Sequence, residues 1–263
     1  MPQEATSLIS KACAALRGYY ALGNEVFEAD GATFVRNRAC RRRHDSNFVT
    51  DVRCRTEPEV SRLLGRVERE FAGFGHRQFH LDPFTPPALA ARFALDGFPF
   101  SEQLVMLLEG EPVVRRRPIE MRLVDGDDTW ADYELLQRAD WDEARVKQGL
   151  PNPPGVTDEF IVSKRCKTPP AQFWLAYESG RPAAYFSSWA SPDGFGVLED
   201  LFTHPDFRQR GIATALVAHC AADARRRGAG PIILSALVDD TPKRMYAAMG
   251  FVPLYTQRIY NRT

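Results

Sequence analysis

Residues 198–216 read LEDLFTHPDFRQRGIATAL. An acidic, apolar, strand-like run meets a proline, then a turn bracketed by Arg208 and Arg210 with a single glycine, Gly211, and a helix of small residues starts at once. A helix start presents unpaired N–H groups and the positive end of the backbone dipole, so this arrangement suits a ligand that carries phosphates. The stretch has neither the GxxxxGK[ST] of a triphosphate loop nor the three glycines of a dinucleotide fingerprint.

Around this stretch the second half of the chain parses as alternating strands and helices. RRRPIEMRLV is a strand candidate, residues 127–150 have helical character, and PNPPG at 151–155 breaks the chain, because three prolines and a glycine cannot continue a helix. FWLAYESGRPAAYFSSW reads as a hairpin about Ser179-Gly180, and VLEDLFT as the strand after it. Leu216, Val217, Cys220 and Ala224 recur at helical spacing up to Gly228, PIILSALV is a strand, and Pro242 opens a short helix closed by Gly250-Phe251.

The first half repeats this order. A shift of 153 residues carries Gly97-Phe98 onto Gly250-Phe251, Gly75 onto Gly228 and Phe93 onto Tyr246, with no gap from 47 to 107. The elements in register are a helix with Val60, Leu63, Leu64, Val67 and Phe71 inward, the strand RQFHLD, the helix PALAARFALDG and the strand EQLVMLLE. The sequence therefore predicts an α/β (α+β) protein of two related mixed-sheet domains, each mostly antiparallel and flanked by helices, at 1–114 and 115–263.

The loop Arg208-Gln209-Arg210-Gly211-Ile212-Ala213 matches the R/Q-x-x-G-x-G/A loop of the GNAT superfamily of acetyl-CoA-dependent N-acetyltransferases, and MYAAMGFVP resembles that family's closing helix and turn. The likeness runs from about 117 to 263 and implies an acetyl-CoA-binding transferase. Gly211 lacks a Cβ, so the backbone can approach a pyrophosphate, and Ala213 keeps the next turn uncrowded. Main-chain N–H groups of Gln209, Arg210, Gly211, Ile212, Ala213 and Thr214 are the expected donors, with Arg208 and Arg210 as charged partners. The resemblance lays the pantetheine arm along Leu201, Phe202 and Thr203, and puts Asp239 where the family often has an asparagine beside the cofactor.

Acetyl transfer to an amine needs a base, because an alkyl ammonium has a pKa near ~10.4. Glu199 is the candidate: relatives carry the same Leu-Glu-Asp triplet, and strand parity sets one of Glu199 and Asp200 toward the site and the other away. Tyr246, four residues before Gly250, stands where the family's general acid stands. In the first half the shift sets Arg55-Thr56-Glu57-Pro58-Glu59-Val60 against the loop and Phe93 against Tyr246, so that half resembles the degenerate partner of tandem GNAT proteins.

Residues 125–143 hold eight acids and one base, interleaved with Trp130, Tyr133 and Trp141. In the family this segment frames the acceptor pocket, so these aromatics are expected to hold a small cationic amine; a solvated helix face is the other reading. A protein lysine or N-terminal acetyltransferase, or a non-catalytic acyl-CoA sensor, are the competing functions.

The remaining composition narrows the setting. Thirty-four basic residues balance thirty-four acidic ones, and no apolar run is long enough for a membrane span, so neither nucleic acid nor membrane is an expected partner. Five cysteines without a CxxC pair and five histidines without ligand spacing point to reduced thiols in a cytoplasm and to no metal. The chain is expected to act as a monomer or homodimer.

Overall fold

The computed structural model describes residues 3–114, 118–149 and 155–262. The first half runs α1 (Gln3–Ala21), β1 (Glu25–Ala29), β2 (Ala32–Arg36), β3 (Phe48–Thr50), α2 (Glu57–Glu70), β4 (Arg77–Leu81), α3 (Pro87–Leu95) and β5 (Phe100–Leu108). The second runs β6 (Glu120–Leu123), α4 (Asp127–Gln148), α5 (Val156–Lys167), β7 (Ala171–Glu178), β8 (Arg181–Ala190), β9 (Gly196–Thr203), α6 (Ile212–Arg226), β10 (Ile232–Leu237), α7 (Pro242–Ala248) and β11 (Val252–Arg262). Arg115–Arg117 of the expected strand and residues 151–154 of the expected chain break lie outside the described residues.

The 153-residue shift carries α2 onto α6, β4 onto β10, α3 onto α7 and β5 onto β11, and it also sets α1 against α5. The repeat read from the sequence is thus a repeat of architecture, and α1, α5 and β1 to β3 are the elements that the sequence reading did not assign. β6 and α4 have no counterpart among the described residues of the first half.

All eleven strands form one sheet in the order β1-β2-β3-β4-β11-β5-β10-β9-β8-β7-β6. It is mixed, mostly antiparallel and flanked by helices; β3 with β4 and its counterpart, β9 with β10, are the parallel neighbours. The halves join by exchanging their last strands. β11 lies between β4 and β5, while β5 lies between β11 and β10. At the centre of the exchange Gln257 pairs with Gln103 in register, and the Gln257 amide donates to the Gln103 side-chain oxygen at 2.7 Å.

Three apolar cores pack against this sheet. One lies under α6 and α7, built on Leu216, Val217, Cys220, Tyr246 and Met249. Its counterpart lies under α2 and α3, with Val60, Leu63, Val67, Phe71 and Phe93. The third crosses the boundary between halves: Leu16, Tyr19 and Tyr20 of α1 meet Trp130, Tyr133 and Leu136 of α4 and Ile161 of α5. Helix α1 of the first half thereby covers strands of the second.

The chain leaves α1 at Gly23, whose φ of +71° suits glycine; a Cβ there would stand 2.2 Å from the Cys166 carbonyl oxygen on α5. This close approach holds the end of α1 against the end of α5. Gly23→Ala is expected to lower unfolding free energy by about 2–4 kcal/mol through left-handed strain and overpacking, read by urea denaturation.

Candidate active site

The turn quoted at the outset forms one wall of a cleft of about 800 Å³. Leu201, Phe202 and Thr203 at the end of β9, Arg208, Gln209, Gly211, Ile212, Ala213 and Thr214 of the turn and α6, and Leu237, Asp240, Thr241 and Pro242 beyond β10 line it. Gln209 (φ 61°) and Gly211 (φ 76°) are both left-handed, and Gly211 is the cap of α6 with no side chain closing the helix start. Successive main-chain amides in such a turn make a concave donor set for an anion. A Cβ on Gly211 would meet only Thr214 Oγ1, at 3.9 Å, so the positive φ and not crowding requires glycine here.

The corresponding turn of the first half is sealed. At the start of α2 the Glu59 carboxylate accepts the N–H groups of Arg55 (2.7 Å) and Thr56 (3.1 Å), so the helix fills its own anion site.

Arg208 faces the cleft but is already engaged. Its guanidinium donates twice to the Glu143 carboxylate, at 2.9 and 2.5 Å, and its Nε donates to the Thr203 carbonyl at 2.9 Å. The Arg208 hydrogen bonds hold the Glu143 carboxyl at about 2. Arg210 does not line the cleft; it donates to the Asp206 carbonyl at 2.7 Å. Asp239 is exposed and off the lining, and its neighbour Asp240 takes the cleft position.

Strand parity does not hold at Glu199. Asp200 adopts a left-handed φ of 68°, and the β8–β9 register slips between Tyr185 and Ser187, so Asp200 and Leu201 form a bulge. A bulge interrupts the alternation of faces. Both Glu199 and Asp200 line a second cavity of about 210 Å³, together with Gln103, Phe186, Ser235 and Tyr246. This cavity lies where β9 and β10 part: they pair only from Ile232 to Leu234, and Ser235 then gives its N–H (3.1 Å) and its hydroxyl (2.7 Å) to Glu199 Oε1.

Glu199 is buried, at 8% exposure, and Tyr20 of α1 donates to its Oε2 at 3.1 Å. Burial and the adjacent Asp200 push its carboxyl up to about 7, against the donors of Ser235 and Tyr20 and the charge of Lys167. Asp200 goes the other way: burial is outweighed by Lys164, at 2.7 Å, and Lys167, and Tyr19 donates to its other oxygen at 2.6 Å. Burial pulls Lys167 down to about 8; its ammonium stands 4.1 Å from the centre of the Tyr19 ring. Tyr246 is buried at 3% exposure, and burial raises its phenol well above the ordinary value.

The aromatics of α4 do not line either cavity. Trp130 and Tyr133 are core residues packed on Phe173, and Trp141 packs on Phe160 at 4.9 Å. The helix turns Trp130 and Tyr133 to the sheet and Trp141 to α5, and its acids Asp140 and Glu143 face the 800 Å³ cleft in their stead. Tyr20, Ser235, Gln103 and Lys164 are the site residues that the sequence reading missed, and each reaches the site from an element distant in sequence.

The residues present fit a pyrophosphate-bearing thioester: an open helix start at one end, and along the arm Thr203, whose buried hydroxyl has no partner among the described residues. Among those residues no cluster of three His, Cys, Asp or Glu is placed to hold a metal, and no helix is long and apolar enough to cross a membrane. Because Glu143 competes for Arg208, Glu143→Gln is expected to tighten coenzyme A binding roughly five-fold, on the order of 1 kcal/mol, in calorimetry at low salt. Weaker binding would show that Glu143 orients Arg208 productively.

Residues 130–251 match the acetyltransferase (GNAT) family model. Among solved structures the chain is similar to a GCN5-related N-acetyltransferase from Kribbella flavida, at 18% identity over 97% of this chain and 96% of that one, with a TM-score of 0.71. It is also similar to a functionally unknown conserved protein from Staphylococcus epidermidis (15%, 91% and 94%, TM-score 0.68) and to a tandem GNAT protein from the clavulanic acid biosynthesis pathway (15%, 82% and 74%, TM-score 0.58). Comparison with curated proteins gives no match. Acetyl transfer is the activity that names the matched family, whose model covers the segment with the Gly211 turn and the parting strands β9 and β10, and over nearly its whole length the chain shares the fold of these neighbours.

Proposed function

We propose that the protein transfers an acetyl group from acetyl-CoA to the primary amine of a small cationic molecule, that residues 115–263 carry the chemistry, and that residues 1–114 are a degenerate partner. One observation carries this reading: the cradle cleft and the Glu199–Tyr246 cavity meet, with Leu201, Leu237, Asp240 and Pro242 on the walls of both. A phosphate grip at one end and a base with a phenol at the other is the arrangement that acyl transfer from a long thioester requires.

Acetyl-CoA, when bound, supplies an activated acyl carbon and a thiolate leaving group. The main-chain amides around Gly211 would hold its pyrophosphate, and Leu201 to Thr203 would flank the arm. Glu199 takes the proton of the incoming ammonium, directly or through water. With its carboxyl pushed up to about 7 by burial and Asp200, Glu199 is a stronger base than an ordinary glutamate and stands closer to an amine near ~10.4.

Tyr246 serves the leaving sulfur. Its raised phenol is a weaker acid than a free thiol of about 8.5, so it acts chiefly as a hydrogen-bond donor to the charge that develops there. The Asp200–Leu201 bulge interrupts the ladder on the cavity wall, and a main-chain amide left unpaired there would suit the developing oxyanion.

The acceptor cavity carries Glu199, Asp200 and Asp240 and no Lys or Arg among its described lining residues; Asp200 is met from behind by Lys164, and Glu199 and Asp240 are the acids that favour a cation. Its volume suits an amine on a slender chain.

A thiol-release assay with acetyl-CoA and a panel of amines is expected to show turnover on small cationic amines. Glu199→Gln should lose roughly 10²–10⁴-fold in kcat. Tyr246→Phe should bind coenzyme A almost normally and turn over slowly. Coenzyme A binding with no turnover on any amine or peptide would contradict the proposal.

A further inference from the structure

Helix α1 belongs to the half without a phosphate cradle, yet its last turn reaches the reacting end of the other half. The consecutive residues Tyr19 and Tyr20 meet the consecutive carboxylates Asp200 and Glu199, at 2.6 and 3.1 Å. Neighbours on a regular strand face opposite ways; the bulge at Asp200 brings both acids within reach of one helix end. The Tyr20 ring is fixed edge-on against Tyr19, Phe48 and His80, with centroids 5.7, 6.3 and 5.6 Å away. Its hydroxyl therefore has little freedom to leave the carboxylate.

The two oxygens of Glu199 are held differently. Oε1 takes both donors of Ser235, whereas Oε2 receives Tyr20. Packing alone would be met by phenylalanine, as at the neighbouring Phe48. We infer that Tyr20 is a positioning residue, whose hydroxyl orients Glu199 from the non-catalytic half and helps to keep it in the ionised, proton-accepting form. The inference rests on the reading of Glu199 as the base.

Every element around that carboxylate contributes to its titration. Tyr20 of α1, Ser235 of β10 and the ammonium of Lys167 on α5 favour the ionised form; burial and Asp200 on β9 itself favour the protonated one. Tyr246 of α7 and Tyr255 of β11 also feel its charge, and both phenols stay neutral because burial raises them. Burial and the charges of Glu199 and Asp200 raise Tyr20 as well, so its phenol keeps its proton and donates it to the carboxylate in a hydrogen bond. Loss of this donor must then move the acidic limb of activity upward, since the carboxylate would hold its proton to higher pH.

The test is the pH dependence of kcat/KM for Tyr20→Phe beside the parent enzyme. A hydrogen bond to a charged group is expected to shift the acidic limb up by about one to two pH units. Activity near pH 6.5 should fall roughly ten-fold or more, the two enzymes should converge at high pH, and coenzyme A affinity should not change. Incorporation of 3-fluorotyrosine at position 20, nearly the same size and a stronger donor, should move the limb down, and it guards against a phenylalanine variant that folds poorly. A limb that stays in place in both, with a uniform loss at every pH or none, would overturn the inference. Glu199→Gln separates the two claims: if it removes the limb while the Tyr20 variants leave it in place, Tyr20 is only packing; if the limb persists without Glu199, the base itself is misassigned.

Discussion

A carboxylate withdrawn from water must be met by donors and charges, or it keeps its proton. Glu199 is in that position, and the fold around it is arranged to resolve it. β9 and β10 part after Leu234, so that Ser235 turns both of its donors to Oε1. The bulge at Asp200 brings a second acid alongside, which Lys164 neutralises. Helix α1 brings Tyr20 to the other oxygen, Oε2. Three of these four contacts come from elements far from Glu199 in sequence, and the position of α1 depends on the close approach of Gly23 to α5.

The exchange of β5 and β11 makes the halves inseparable in mechanical terms. β10 has β9 on one side and β5, a strand of the first half, on the other, and Gln103 of β5 stands on the cavity wall. Yet the two halves of this scaffold differ at a few telling positions. At the helix start, Gly211 and Ile212 correspond to Pro58 and Glu59, and the acid seals what the glycine leaves open. Tyr246 corresponds to Phe93, equally buried and without a hydroxyl. In the proposed account one twin holds the chemistry and the other supplies a strand, a helix and one hydroxyl.

Much of the fold, and the placing of Glu199, Gly211 and Tyr246 on the two cavities, was legible in the sequence because the signals are local. A left-handed glycine before a helix, a phenol four residues before Gly-Phe and an acidic triplet on a strand are signals of short range, and the 153-residue shift exposed the repeat. What was hidden had a physical reason. Helix α5 buries Lys164 and Lys167, so its inward face does not read as apolar, and the helix went unassigned. The bulge at Asp200 carries neither glycine nor asparagine to mark its positive φ, and the parity argument failed there. On α4 the rings of Trp130 and Tyr133 lie in the core and the acids Asp140 and Glu143 face the 800 Å³ cleft, because a ring gains most by leaving water. Tyr20 could be read as a core residue of α1, but nothing local reveals a partner 179 residues away.

In the proposed account this one carboxylate titrates near neutrality on the wall of the small cavity. Carbon-13 NMR of the glutamate carboxyls, with Glu199 assigned by its disappearance in Glu199→Gln, reads that directly in the free protein. The account predicts a midpoint near 7 for Glu199. A midpoint at the ordinary glutamate value of about 4.3 would contradict it, because such a group would be neither desolvated nor matched to the task of accepting an ammonium proton.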